Sequence, residues 1–193
     1  SASFLDNSRP LFVEGNHETM RDDEHRTPVY RAAIRKRLQQ APGQLAVLDL
    51  GTGPFALFAI EAAKAGARVV YAIEADRASA QAARAAVAAA GLTSVVHILE
   101  GLSTEVQLPE KVDVVISETV GSVASMEGLY ATVADAHVRH VKEPTSLSSW
   151  IPHRVETWGA PVCYALHRGI GHPAFPWLDR TLPPYARPEM DEH

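Results

Sequence analysis

Apolar residues recur along the chain at two spacings, and their alternation predicts the architecture. Val29, Ala33, Ile34 and Leu38 fall at helical spacing, and Pro28 is tolerated in a first turn, so a helix is expected over Val29–Gln40. Upstream, His17–His25 is polar and reads as a short helix, while residues 1–16 show no clear period and read as an arm. Apolar, β-branched runs predict strands at Gln44–Leu50, Arg68–Ile73, Val95–Leu99 and Val112–Ser117, with a weaker candidate at Thr145–Ile151. Helical patterns fill the gaps between them. Phe55–Ala65 is closed by Gly66, Arg77–Ala90 is capped by Asp76 and closed by Gly91, and Leu129–Val141 follows the fourth strand. Strands alternating with helices imply right-handed crossovers and a parallel sheet. The fold class expected is α/β: a Rossmann-like parallel sheet with helices on both faces, an N-terminal helical lid and a short irregular C-terminal extension. Beyond Pro152, His153–Val162 reads as one strand leaving the sheet, and the proline-rich tail from Arg168 reads as irregular.

Composition narrows the classes. A chain of 193 residues fits one domain with a small appendage. Its lone cysteine, Cys163, excludes an intramolecular disulfide and favours a reducing, cytoplasmic compartment. The net charge of −5 argues against a nucleic-acid partner, and no apolar run is long enough to span a bilayer. The first residue is Ser1 rather than methionine, which reads as a trimmed product. His137 and His140 share a helix face, yet no cysteine or acid completes a metal set, so no metal is expected and both read as surface or interface residues. Asp113 reads as structural, and Trp150 and Trp158 as core or edge packing.

The chemistry gathers at the carboxyl ends of the strands, where parallel sheets bind ligands. Val47–Leu50 runs through an acid, Asp49, into Gly51-Thr52-Gly53-Pro54-Phe55-Ala56. Glycine lets a backbone approach a cofactor closely, and the helix behind it offers free N–H groups. Glu74 lies 23 residues after Gly51 (74 − 51), where a carboxylate can accept both vicinal hydroxyls of a ribose. Dehydrogenases and methyltransferases share that feature. Two others separate them. Pro54 removes a donor that a diphosphate would use. The Ser117–Glu127 loop then places Glu118 and Glu127 nine positions apart (127 − 118) around Gly121. Two carboxylates folded into one pocket repel each other unless they face a cation.

These residues resemble the protein arginine methyltransferase family. Glu118 and Glu127 look like its double-glutamate loop; His17-x-x-Met20, Arg26 and Tyr30 resemble its N-terminal helices; Val47–Gly53 and Ile73-Glu74 resemble its first two cofactor motifs; Gly101–Glu105 resembles the segment bordering adenine. The likeness runs over residues 12–160. It implies S-adenosyl-L-methionine as cofactor, with Arg26 on the methionine carboxylate, Gly51 and Gly53 beneath the methionine portion, Glu74 on the ribose and Ser103 and Thr104 beside the adenine. It implies Glu118 and Glu127 as the catalytic pair, with Glu118 also bordering the cofactor, and His17 and Met20 as substrate-orienting residues. Three segments follow: 1–40, arm and helices over the cofactor; 41–152, the cofactor-binding sheet domain; 153–193, the start or remnant of a substrate region. The implied reaction is methyl transfer to a guanidino nitrogen of a peptide or small molecule, in a homodimer. A small-molecule N- or O-methyltransferase and an inactive cofactor-binding module stay open. The chain departs from the family at Pro54, Phe55 and Thr119, and at Phe12, where the family has tyrosine. Too few residues follow position 160 for the family's β-barrel, and none form its His-Trp pair. The chain is therefore either a piece of such an enzyme or one that handles its acceptor without the barrel.

Overall fold

Five strands run parallel in the order β3-β2-β1-β4-β5: β1 is Ala46–Leu50, β2 Val69–Glu74, β3 Val96–Glu100, β4 Val114–Ser117 and β5 Trp150–Ile151. The computed structural model describes residues 14–120 and 128–156, the side chains of 14–16 excepted. The helices are α1 (Glu14–Arg21), α2 (Arg26–Leu38), α3 (Leu57–Lys64), α4 (Arg77–Ala89) and α5 (Leu129–Arg139). Residues 1–13 of the expected arm, Phe12 among them, lie outside the described residues, as do Glu127 and everything from Thr157 on, including Trp158 and Cys163; residues 14–16, also expected as arm, instead open helix α1.

Alternation along the strands builds two cores. Val47, Val70, Ala72, Val114 and Ile116 pack against Ile34 and Leu38 of α2, Phe58, Ala59 and Ala62 of α3, and Ala83 and Val87 of α4. The other face presents Leu48, Leu50, Tyr71, Ile73 and Val115 to Ala136 of α5 and to Val141. All five residues of β1 are buried, because it is the middle strand and is covered on both faces. The chain passes from β1 outward through β2 to β3, then returns to β4 on the other side of β1. That reversal opens a crevice at the carboxyl ends of β1 and β4. Leu50 pairs with Ile73 and with Ser117, so the three strands end level and deliver their following loops to one place.

Several boundaries differ from the sequence reading, each for a local reason. The polar segment expected to be helical to His25 stops at Arg21. Asp23 causes the break: its Oδ1 accepts the N–H groups of His25 and Arg26, both at 2.8 Å, and starts α2 two residues before Pro28. Those two donors also hold the Asp23 carboxyl below its ordinary range. The helix expected from Phe55 begins at Leu57, because Ala56 sits in the left-handed region at φ 43°. Of the strand expected over Thr145–Ile151 only Trp150–Ile151 pairs. Its serines bond locally instead: Ser149 Oγ donates to Glu143 O at 2.9 Å, and a 3-10 turn occupies Leu147–Ser149. Residues 153–156 form no strand. His140, expected at the surface, is only 1 % exposed; its Nε2 donates to the Ser103 carbonyl, 3.3 Å away. His137 is exposed as expected, and Trp150 stacks on it while donating to Pro144 O at 2.8 Å.

Two aspartates yield tests of this packing. Asp113 Oδ2 accepts the buried Ala46 N–H at 2.8 Å and pairs with Lys142. Asp113→Ala strands that N–H and is expected to cost about 1–3 kcal/mol in urea unfolding; Asp113→Asn, which keeps an acceptor, recovers most of the loss. Asp49 is 2 % exposed and lies against α3, and burial pushes its carboxyl up to about 6 from an ordinary 3.8, despite hydrogen bonds from Thr52 and Ala59 that lower it. Below 3.8 both folded and unfolded chains hold the proton, and this group is neutral to folding. As pH rises toward 6 the unfolded chain ionises freely while the folded chain resists, so this group's contribution to stability falls until the folded carboxyl has ionised. Asp49→Asn lacks that decline, so its urea midpoint is expected to gain on wild type between pH 4 and pH 7. Parallel midpoints across that range refute the assignment.

Candidate functional site

The turn after β1 is pinned before it reaches α3. The N–H groups of Gly51 and Thr52 both donate to Ile73 O at 3.0 Å, which ties the turn to the end of β2. Gly51 and Gly53 adopt φ +70° and +65°, which other residues rarely do. Thr52 turns its hydroxyl inward and donates to Asp49 Oδ2 at 2.6 Å, so Asp49 props the turn from below. A side chain at either glycine also meets a neighbour. A Cβ on Gly51 falls 3.1 Å from Thr119 Cγ2, and one on Gly53 falls 3.6 Å from His17 Nδ1. The loop after β4 and helix α1 therefore both touch this turn. Arg21 of α1 adds a cation–π contact, its guanidinium carbon 4.7 Å from the Phe55 ring centre.

Glu74 is fixed by backbone donors. Its Oε2 accepts Gly53 N–H at 2.8 Å and its Oε1 accepts Asp76 N–H at 2.9 Å. Both oxygens keep a further lone pair, so a diol can bond to a carboxylate already oriented. The same geometry resists a diphosphate. The Gly53 donor is taken, its partner is an anion, and Pro54 has no N–H to offer.

Glu118 follows β4 directly and pairs with Arg26 Nη1 at 2.6 Å; the two side chains are 15 % and 23 % exposed. Arg26 Nη2 also donates to Met20 O at 2.5 Å, and Thr27 Oγ1 donates to the same carbonyl at 3.1 Å. Tyr30, one turn along α2, stacks on Phe58 with ring centres 4.7 Å apart and donates to Ser117 O at 3.3 Å. Burial and the nearby Glu118 charge push its phenol up. Helix α2 is thus docked on α3 and on the last residue of β4, with Arg26 carried toward the acid loop.

His17, Arg26, Gly51, Gly53, Glu74 and Glu118 form one connected set along this edge. Ser103 and Thr104 lie one strand further out, on the loop after β3. That loop meets Glu74 through the backbone, Gly101 N–H to Glu74 O at 2.9 Å. Thr104 is exposed, and the Ser103 carbonyl faces Arg139 and His140. Met20 enters through its carbonyl. Glu127 lies outside the described residues. Sequence reading missed Asp49 as the buried prop, Thr119 as the contact to Gly51 and Asp23 as the acceptor of the His25 and Arg26 N–H groups; only the short polar spacing Asp49-x-x-Thr52 hinted at any of them.

The donor set fits a small cofactor bearing a diol and a carboxylate. Arg26 Nε is buried without an acceptor, so the guanidinium that pairs with Glu118 has an unused donor. Among the described residues no group of three metal-ligating side chains occurs.

The known proteins similar to this chain are methyltransferases. The model for the family described as ribosomal protein L11 methyltransferase (PrmA) matches residues 24–138. The chain is similar to Arabidopsis thaliana protein arginine N-methyltransferase PRMT10, 38% identical over 147 residues, covering 76% of this chain and 37% of that protein. It is similar also to Danio rerio protein arginine N-methyltransferase 6, 34% identical over 148 residues, covering 76% and 40%. Among solved structures, that of the Arabidopsis thaliana protein arginine methyltransferase 10 superposes with a TM-score of 0.62 at 39% identity, covering 67% of this chain and 36% of that one. The Trypanosoma brucei PRMT1 enzyme–prozyme complex with AdoHcy gives 0.63 at 35% identity, covering 67% and 40%. The chain thus spans less than half the length of these relatives. The family model, which covers more than half of the chain, and the sheet topology make the chain a member of the Rossmann-like methyltransferases, and the relatives it matches there are protein arginine N-methyltransferases.

Proposed function

We propose that this chain binds S-adenosyl-L-methionine along the edge formed by Gly51, Gly53, Glu74 and Arg26, and transfers its methyl group to a guanidino nitrogen of a peptide or small molecule. The observation that carries the reading is the contact between the acid loop and the glycine turn. Thr119, next to Glu118, stands 3.1 Å from where a Gly51 side chain would be. An acceptor held by Glu118 would then lie beside whatever the turn holds.

The bound cofactor supplies a methyl group on a positively charged sulfur. This chain's residues supply binding and charge. Glu74 would take the ribose hydroxyls, and Arg26 the amino-acid carboxylate, bidentately as its fork allows. The glycines leave room for the chain between them. Two cations must then meet, and at about 4 Å they repel by roughly 4 kcal/mol at an effective dielectric near 20. Glu118, with Glu127, would offset that repulsion, grip the guanidinium fork and aim one nitrogen along the transfer axis. Guanidinium is too weak an acid to lose its proton beforehand. Orientation therefore precedes proton loss.

Calorimetry with S-adenosylhomocysteine, run beside NAD, tests the cofactor. Binding of the first and not the second is the expected result. Glu118→Gln is expected to keep that affinity within about threefold while turnover on free arginine or an arginine peptide falls about 100-fold or more. Undiminished turnover in the variant contradicts the role given to Glu118.

A further inference from the structure

The loop after β3, which the backbone ties to Glu74, is held by the last turn of helix α5. Arg139, last residue of α5, spreads its guanidinium over three partners. Nε and Nη2 pair with Asp135 at 2.8 Å, Nη2 donates to Ser103 O at 2.6 Å, and Nη1 donates to Val106 O at 3.2 Å. The buried His140 beside it gives the Ser103 carbonyl a second donor. Two carbonyls of one short loop thus depend on one side chain and its neighbour.

The loop has little freedom once these bonds are made. Glu105 N–H and Val106 N–H both donate to Leu102 O, at 2.9 and 3.0 Å. Gly101, at φ +141°, leaves room for Val106, whose Cγ2 lies 3.0 Å from where a Cβ would be. At its other end the loop is tied through Gly101 N–H to the carbonyl of Glu74. The segment between these ties carries the side chains of Ser103 and Thr104. Asp135, itself paired to Arg139, keeps the guanidinium flat toward the loop. Without Arg139 the Val106 carbonyl loses its charged donor and the Ser103 carbonyl keeps only His140, so the loop is held less tightly.

We infer that Arg139, oriented by Asp135 and assisted by His140, is a positioning residue for the adenosine half of the cofactor site: it fixes the Ser103–Val106 loop against the end of β2. The inference rests on the cofactor reading above. It assigns Arg139 no contact with cofactor or acceptor. Its effect therefore falls on cofactor affinity and not on the chemical step.

The test compares wild type, Arg139→Met, Arg139→Lys and, as a control, Arg68→Met, which breaks the exposed Arg68–Glu110 pair. Each chain is first confirmed folded by its thermal transition. Calorimetric affinity for S-adenosylhomocysteine is then measured, with KM for S-adenosylmethionine and kcat at saturating cofactor. Arg139→Met is expected to weaken both cofactor constants about tenfold with kcat changed less than about twofold. Arg139→Lys, which keeps a donor, recovers part of the loss, and Arg68→Met changes neither constant. Unchanged affinity in folded Arg139→Met, beside a wild type that binds, overturns this inference and leaves the cofactor reading standing. A wild type that does not bind overturns both.

Discussion

Three carboxylates crowd one edge of a parallel sheet, and the site depends on how each is answered. Asp49 is answered by Thr52, by a backbone N–H and by a raised affinity for its proton. Glu74 is answered by two backbone donors. Glu118 is answered by a guanidinium. The three answers differ in kind. A carboxylate held by neutral dipoles keeps its aim, which suits hydroxyl recognition. A carboxylate paired with an arginine is already shaped for guanidinium. The buried one props the turn.

Level strand ends make this possible. Because Leu50 sits in register with both Ile73 and Ser117, the residues that follow β1, β2 and β4 emerge together. Helices α1 and α2 then close over the emerging loops, and their docking is specific. Tyr30 rests on Phe58, Arg21 on Phe55, and Arg35 reaches the buried Glu61 of α3 at 2.6 Å. Phe55, a departure from the family pattern at the third glycine, thus serves as a platform for the lid.

The sheet was legible in the sequence because every strand except the last carries an apolar, β-branched run bounded by glycine or polar residues. Asp76 declared itself as a cap by position, and it accepts Ser79 N–H as such a cap does. Asp23 did not, since a polar helix and a capped break look alike in a stretch with no apolar period. The Ser146–Ser149 segment misled because serine bonds to nearby backbone as readily as it extends. His140 misled for another reason: its burial depends on a carbonyl 37 positions earlier in the chain, which no local pattern reports. The acids at the strand ends could be named from sequence, but not their partners, because Arg26 reaches Glu118 only through the docking of α2.

The account stands most directly on where a guanidinium sits when the cofactor product is present. A crystal structure of this chain with S-adenosylhomocysteine and an arginine peptide measures that. The account predicts the peptide guanidinium paired with Glu118, the Glu74 carboxylate on the ribose hydroxyls, and Arg26 on the homocysteine carboxylate. A guanidinium bound away from Glu118, or an adenosine lying elsewhere than beside Glu74, contradicts it.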